Sequence, residues 1–410
     1  MEDNIRVADR ETLRLLARQV AEAAAQPIMA ERRDLWRRHN DLMGLRPMVL
    51  CDPENSWQEI IREDQLVCTG DLARAWERRL RKQLFWGTQM GDDRVLEPVF
   101  ELMVTAAVDD FGVQEVRHQS ASQGSFTWEA PIKGYADLAL LKAPSIRVDR
   151  EVTERRRQLA LEVFDGILEV TEKNYWWWSL GLTYPFVLLR GLQQLMYDLY
   201  DEPDGVHALM RHIRDVWLWK LDFLEQSGLL SMNSTSDFIG SHSHGYTNSL
   251  EAVKPGSVRP MNMWGFGESQ ETVSVSPGMF EEFVFQYQLP LLERFGLNYY
   301  GCCEPLHDRM HLIKRIPRLR KVSVSPWANR EIMADELKGR CVFSWKPNPA
   351  PVSVNSPDWD SIRKDIKSTL RIAKGCAVEI ILKDLHTLSG KPQNARQFCR
   401  IAQEEAQNIQ

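Results

Sequence analysis

Apolar residues recur at helical spacing near the start of the chain. Leu13, Leu15, Leu16, Val20, Ala24 and Ile28 are separated by Arg and Glu, which predicts one or two helices over residues 11–39, with Pro27 marking a break or a start. Between residues 46 and 145 the pattern is less regular. Pro47-Met-Val-Leu-Cys51 predicts a short buried strand, residues 71–85 and 109–116 predict helices, and the Ser-, Gly- and aromatic-rich stretch 119–134 predicts a loop or hairpin. From residue 152 the chain becomes periodic. A charged helix over 152–173 leads into the apolar run Tyr175-Trp-Trp-Trp-Ser-Leu180. Further runs follow at Leu229-Leu-Ser-Met-Asn233, at 260–266, at Leu297-Asn-Tyr-Tyr-Gly-Cys302, at 319–324, at 340–345 and at 377–382. Helix-like patterning fills most of the intervals, most clearly over 280–295 and 359–373. Short buried strands alternating with helices are the mark of parallel βα units.

The seven runs from Tyr175 onward, with 47–51 as an eighth strand, predict an α/β protein of the (β/α)₈ TIM-barrel type. Residues 1–45 form an N-terminal helical arm and 46–410 the barrel. An open doubly wound sheet is the alternative, but no Gly-rich phosphate fingerprint follows any strand. The arm offers a surface for a homodimer or for packing on its own domain.

In a βα barrel the chemistry sits at the C-terminal ends of the strands, so the residues just after each run are the candidates. Asn233 ends one run, and Glu268, Gln270 and Glu271 follow the next. Gly301-Cys302-Cys303-Glu304 comes after the fifth strand, Lys346 ends the seventh, and Lys383, Asp384 and His386 follow the eighth. Two thiolates and an imidazole from different strand ends make a three-ligand zinc site with an open position, so Cys302, Cys303 and His386 are the expected ligands. Successive residues of a regular strand point to opposite faces. Either the strand stops at Gly301 and both cysteines turn inward, or one cysteine binds alone; the competing reading is a pair of buried thiols. Ser-His-Ser-His-Gly-Tyr246 contains a His-x-His pattern, but His242 and Tyr246 are read as substrate contacts rather than metal ligands.

The 410 residues are 43% hydrophobic and 26% charged, the composition of a soluble globular protein. A net charge of −6 argues against nucleic-acid or membrane-surface binding. No signal peptide is visible, and no stretch reaches the roughly 18 apolar residues needed to span a bilayer. The expected location is cytoplasmic, where the seven cysteines stay reduced.

Over residues 165–405 the chain resembles the uroporphyrinogen decarboxylase superfamily. Tyr184-Pro-Phe-Val-Leu-Leu-Arg-Gly191 and Leu195-Met-Tyr-Asp-Leu-Tyr-Asp-Glu-Pro203 look like its proline-led helix and its "DLYEDPE" segment. Ser276-Pro-Gly-Met-Phe-Glu-Glu-Phe283 looks like its "SPEMFEEF" helix start, with Ser276 as N-cap. Tyr299-Tyr-Gly-Cys-Cys-Glu304 falls where zinc-dependent relatives carry His-x-Cys-Gly, and Leu382-Lys-Asp-Leu-His386 where they carry a late cysteine. The Arg-Gln-Ala-Gly-Arg cradle of the decarboxylases is missing. The resemblance therefore implies the methyltransferase branch: methyl transfer between a small methylated compound and a corrinoid (methylcobalamin) on a partner protein, assisted by zinc. Glu268, Glu304 and Asp384 are the expected catalytic groups, and Asn233, His242, Tyr246, Gln270 and Lys346 the substrate contacts. Decarboxylase or lyase chemistry is the alternative, and a non-catalytic small-molecule-binding barrel the third reading.

Overall fold

In the computed structural model, which describes residues 5–44, 46–119, 126–174 and 176–408, parallel strands dominate. Eight can be followed along the chain: β1 (Met48–Cys51), β2 (Val99–Met103), β3 (Glu169–Lys173), β4 (Trp264–Gly267), β5 (Leu297–Tyr300), β6 (Leu319–Val324), β7 (Val342–Trp345) and β8 (Ala377–Leu382). Six of them form one sheet in the order β1-β8-β7-β6-β5-β4, while β2 and β3 pair separately, also in parallel.

The ladder hydrogen bonds do not run around a closed ring among the described residues, so the expected closed barrel is not what the strand pairing shows. Other groups bridge the two seams. Between β1 and the lead into β2, Asp93 N donates to Val49 O (2.8 Å), and the Asp93 carboxylate accepts from Val49 N (2.8 Å). Between β3 and β4, Leu180 N donates to Phe266 O (2.8 Å). Asn233 acts there as a piece of backbone: its amide donates to Trp264 O (3.0 Å) and accepts from Trp264 N (2.9 Å).

Two expected strands are corrected. The runs 175–180 and 229–233 are irregular (Tyr175 itself lies outside the described residues), and β2 and β3 stand where two more parallel strands were expected. The helix predicted over 152–173 spans Arg150–Phe164 and is followed by β3. The stretch read as helix over 109–116 holds the end of a short strand, a bend and the start of another strand. The hairpin expected in 119–134 exists, since 116–119 pairs antiparallel with 126–129; its tip, 120–125, lies outside the described residues. Ser276 caps its helix as expected, its Oγ accepting from Met279 N.

The large sheet is buried on both faces, for different reasons. Val322, Val324, Phe343, Trp345, Val378, Ile380 and Leu382 belong to the main apolar core with the flanking helices. Most of the alternate positions are polar and equally buried: Lys321, Ser323, Ser344, Lys346, Glu379 and Lys383. Two segments fill that side. The helix Pro27–Asn40 contributes Trp36 and His39, both at 0% exposure. A hairpin, Phe238–Ile239 with Ser243–His244, contributes Ser243, whose hydroxyl donates to Glu379 (2.8 Å). Asn40 ties the two together by donating to the carbonyls of His244 and Tyr246. The expected arm is thus two helices, Val7–Ala24 and Pro27–Asn40, both packed on their own chain. Among the described residues no helix is long and apolar enough to cross a membrane.

Candidate functional site

The residues after β1, β4, β5 and β8 converge at the C-terminal ends of the sheet. β5 ends at Tyr300, and Gly301 turns the chain at φ +94°, a conformation open to glycine at little cost. That turn resolves the question of the adjacent cysteines: both sulfurs face the same way, 3.6 Å apart, and Lys383 Nζ lies 3.6 Å from each. Lys383 also donates to Asp384 Oδ2 (2.7 Å), which lies 3.7 Å from Cys303 Sγ. Cys302 is buried; Cys303 is half-buried. The hydrogen bond from Cys302 and the ammonium of Lys383 hold the Cys303 thiol below its ordinary range despite its burial. Cys302, as the donor of that bond and the more buried partner, is pushed well up. Of the two thiols, Cys303 is therefore the more readily ionised.

A second group of carboxyls adjoins the cysteines. Glu304 is fully buried and accepts from Cys302 N and Ser269 N, both at 2.9 Å. Glu268 accepts from Ser179 Oγ (3.1 Å) and from Gln270 N (3.2 Å). Burial, then the neighbouring Glu271 and Glu304, push Glu268 well above the usual carboxylate range, which favours its protonated form. Gly181 makes this possible, because a Cβ there would stand 2.0 Å from Glu268 Oε1. Lys346, at the end of β7, donates to Tyr299 Oη (2.8 Å), and burial pushes its ammonium down to about 7.

A third group lies beyond Asp384. His242 Nε2 is 3.4 Å from Asp52 Oδ2 and 3.2 Å from Glu54 Oε1. Burial, followed by the charges of Asp384 and Asp52, raises Glu54 to about 7, and burial lowers His242 to about 4. Glu54, His242 and Asp384 all have positive φ (46°, 63° and 59°), a region that non-glycine residues rarely adopt and that concentrates at functional sites.

Of the expected site residues, Cys302, Cys303, Glu268, Glu304 and Asp384 come together, with Lys346 below them and His242 beyond Asp384. Gln270 reaches Glu268 through its backbone. Three of the expected residues stand apart from this group. His386 is exposed and its Nδ1 pairs with Asn55 (3.0 Å). Among the described residues the trio whose donor atoms lie within 4.8 Å of one another is Asp52, Glu54 and His242, not Cys302, Cys303 and His386. With a lysine ammonium against both sulfurs and the imidazole turned away, the expected zinc ligand set does not fit. Tyr246 belongs elsewhere: its hydroxyl bonds Glu97, and it lines a separate cavity of about 450 Å³ with Arg79, Lys82, Trp86 and Arg94. Asn233 serves the backbone of Trp264 and faces a cleft walled by Trp176, Trp177 and Trp178. Of the groups to which the expected site gave no role, Lys383 stands among the residues read after the eighth strand, and Asp52 and Glu54 follow β1.

No family model matches the chain, and no curated protein matches it. Among solved structures, a methyltransferase from Methanosarcina mazei is similar with a TM-score of 0.48 and 10% identity, covering 91% of this chain and 97% of that one.

Proposed function

We propose that the chain is a methyltransferase that moves a methyl group between a small methylated compound and a corrinoid carried on a partner protein. The helix motifs that resemble those of the uroporphyrinogen decarboxylase superfamily, and the place of Cys302 and Cys303 at a strand end where its zinc-dependent members carry a cysteine, support this reading. The observation that carries it is the thiol pair, 3.6 Å between sulfurs, with Lys383 Nζ 3.6 Å from each.

A thiolate is a soft nucleophile suited to displacement at a saturated carbon. Cys303, stabilised by Lys383, attacks the methyl carbon of the substrate. The S–C bond forms as the bond from carbon to the leaving oxygen or nitrogen breaks, and the electron pair departs with the heteroatom. Glu268, buried and with its protonated form favoured, supplies the proton that the leaving atom needs. Glu304 holds the Cys302 backbone, and through it the pair, in place. The cycle closes when Cys303 gives up the methyl group, the S–C electron pair returning to sulfur to restore the thiolate; a docked corrinoid would supply the reduced cobalt that accepts the methyl group. No step is assigned to zinc.

The test is to incubate the purified chain with methylcobalamin and, in separate samples, with methylated phenols and amines, following the cobalamin spectrum in the first and the mass of the peptide that carries Cys303 in all of them. Wild type should change the spectrum and add one methyl group to that peptide, and Cys303→Ser should do neither. Turnover by Cys303→Ser at the wild-type rate would remove the thiolate from the reaction.

A further inference from the structure

Asp52 and Glu54 follow β1, and His242 comes from the tip of the hairpin that fills the polar side of the sheet. His242 is far from Asp52 and Glu54 in sequence, yet the three donor atoms meet within 4.8 Å. Asp52 divides its carboxylate between two tasks. Oδ1 accepts from Glu54 N (2.9 Å) and from Trp57 Nε1 (3.3 Å), holding the turn, while Oδ2 faces His242. The other side of the His242 ring does not explain its position, since Nδ1 is buried without a hydrogen-bond partner. Two of the three residues also hold a costly backbone conformation.

We propose that Asp52, Glu54 and His242 bind a divalent transition-metal ion of the zinc or manganese(II) class, at a site separate from the thiol pair. Two carboxylate oxygens and one imidazole nitrogen are the donors such ions take, and the absence of sulfur from the trio distinguishes it from a thiolate site. The spacing fits. Bonds of about 2.1 Å in a tetrahedral site place donors about 3.4 Å apart, and the two contacts made by His242 Nε2 measure 3.2 and 3.4 Å. Three protein ligands leave a coordination position for an oxygen or nitrogen of a substrate, beside Asp384 and the rim where Cys303 lies. Nothing here depends on the methyltransferase reading, since binding is measured without turnover.

The experiment is equilibrium dialysis of the full chain against Zn²⁺ and, separately, Mn²⁺, using wild type, Glu54→Gln, His242→Gln and the double variant Cys302→Ser/Cys303→Ser. Circular dichroism and the thermal midpoint with and without metal are recorded for each. Wild type and the double cysteine variant should bind about one ion per chain. Glu54→Gln and His242→Gln should bind at least about tenfold more weakly and lose the metal-induced rise in midpoint. Glu54→Gln keeps side-chain shape, so a native dichroism spectrum isolates ligand loss from unfolding. If His242→Gln does not fold, the Glu54 variant and the wild-type measurement decide. Wild type that binds neither ion overturns the proposal. So does an ion that disappears with the cysteines and survives in the Glu54 variant.

Discussion

Lys321 Nζ lies 2.8 Å from Glu379 Oε2, and solvent reaches neither side chain. Ser243 and Ser344 donate to the same carboxylate, and His39 Nε2 stands 3.3 Å away. Burial opposes the charge on Glu379, but Lys321 and His39 outweigh it and hold the group well below the usual carboxylate range. Removing one partner strands a buried charge, at a cost of roughly 3–5 kcal/mol. Lys321→Met and Glu379→Gln should each lower the urea midpoint strongly, whereas Lys321→Met/Glu379→Leu should recover much of the loss. A double variant as unstable as the sum of the two singles would show that the pair is not coupled.

The two adjacent cysteines should differ in reactivity. Cys303 is half-buried with its thiol held down, and Cys302 is buried with its thiol pushed up. Iodoacetamide at neutral pH should modify Cys303 first, as read by peptide mass spectrometry. In Lys383→Met the pH at which Cys303 becomes half-reactive should move upward, because the ammonium that favours its thiolate is gone. An unchanged profile would assign the activation to Cys302 alone.

Gly181 sets the position of Glu268. In Gly181→Ala the new methyl would meet Glu268 Oε1 at 2.0 Å, so the carboxyl or the seam between β3 and β4 must shift, at roughly 1–3 kcal/mol. Methyl transfer should fall with it. Gly278→Ala is the control, because a Cβ there meets nothing within 4 Å. Equal loss in both variants would remove the argument from the close approach.

Lys346 gives stability a pH dependence of definite sign. Its ordinary value of 10.5 falls to about 7 in the fold because burial disfavours the ammonium. Between those values the unfolded chain holds a proton that the folded chain has released, so this group makes stability rise with pH across the window. Below about 7 both states are protonated, and the cost of the buried charge is carried in full. Lys346→Met should flatten the slope of unfolding free energy between neutral and alkaline pH. A slope as steep as that of wild type would place the titration on another group.

Much of the sheet was legible because its strands carry an apolar face under the helices. The runs at 319–324 and 377–382 match β6 and β8, and those near 48, 264, 297 and 342 match the remaining strands of the six. β2 and β3 were hidden for a physical reason. Val-Phe-Glu-Leu-Met is interrupted by Glu101 and Glu-Val-Thr-Glu-Lys is mostly polar, and Lys173 crosses to Glu101 (3.0 Å), so neither reads as an apolar run. The tryptophan run does, but its rings wall a cleft rather than pair in a ladder. At 229–233 the ladder is replaced by the amide of Asn233, which no periodicity reveals. The thiol pair and Glu268 could be read from their places after strands. The trio of Asp52, Glu54 and His242 could not, because His242 arrives from a hairpin whose path through the fold leaves no local pattern.

That hairpin and the helix Pro27–Asn40 also dictate an order of events during folding. Asn40 bonds to Tyr246, 206 positions away, and its own carbonyl accepts from Arg320, 280 positions away. Loops of that length must close before the contacts repay the lost entropy. On the ribosome the helix emerges early and cannot bury Trp36 until most of the chain has followed. Its tryptophan is therefore a reporter of the final step: in a refolding experiment its fluorescence should change after the backbone signal of the sheet, as the polar interior is sealed.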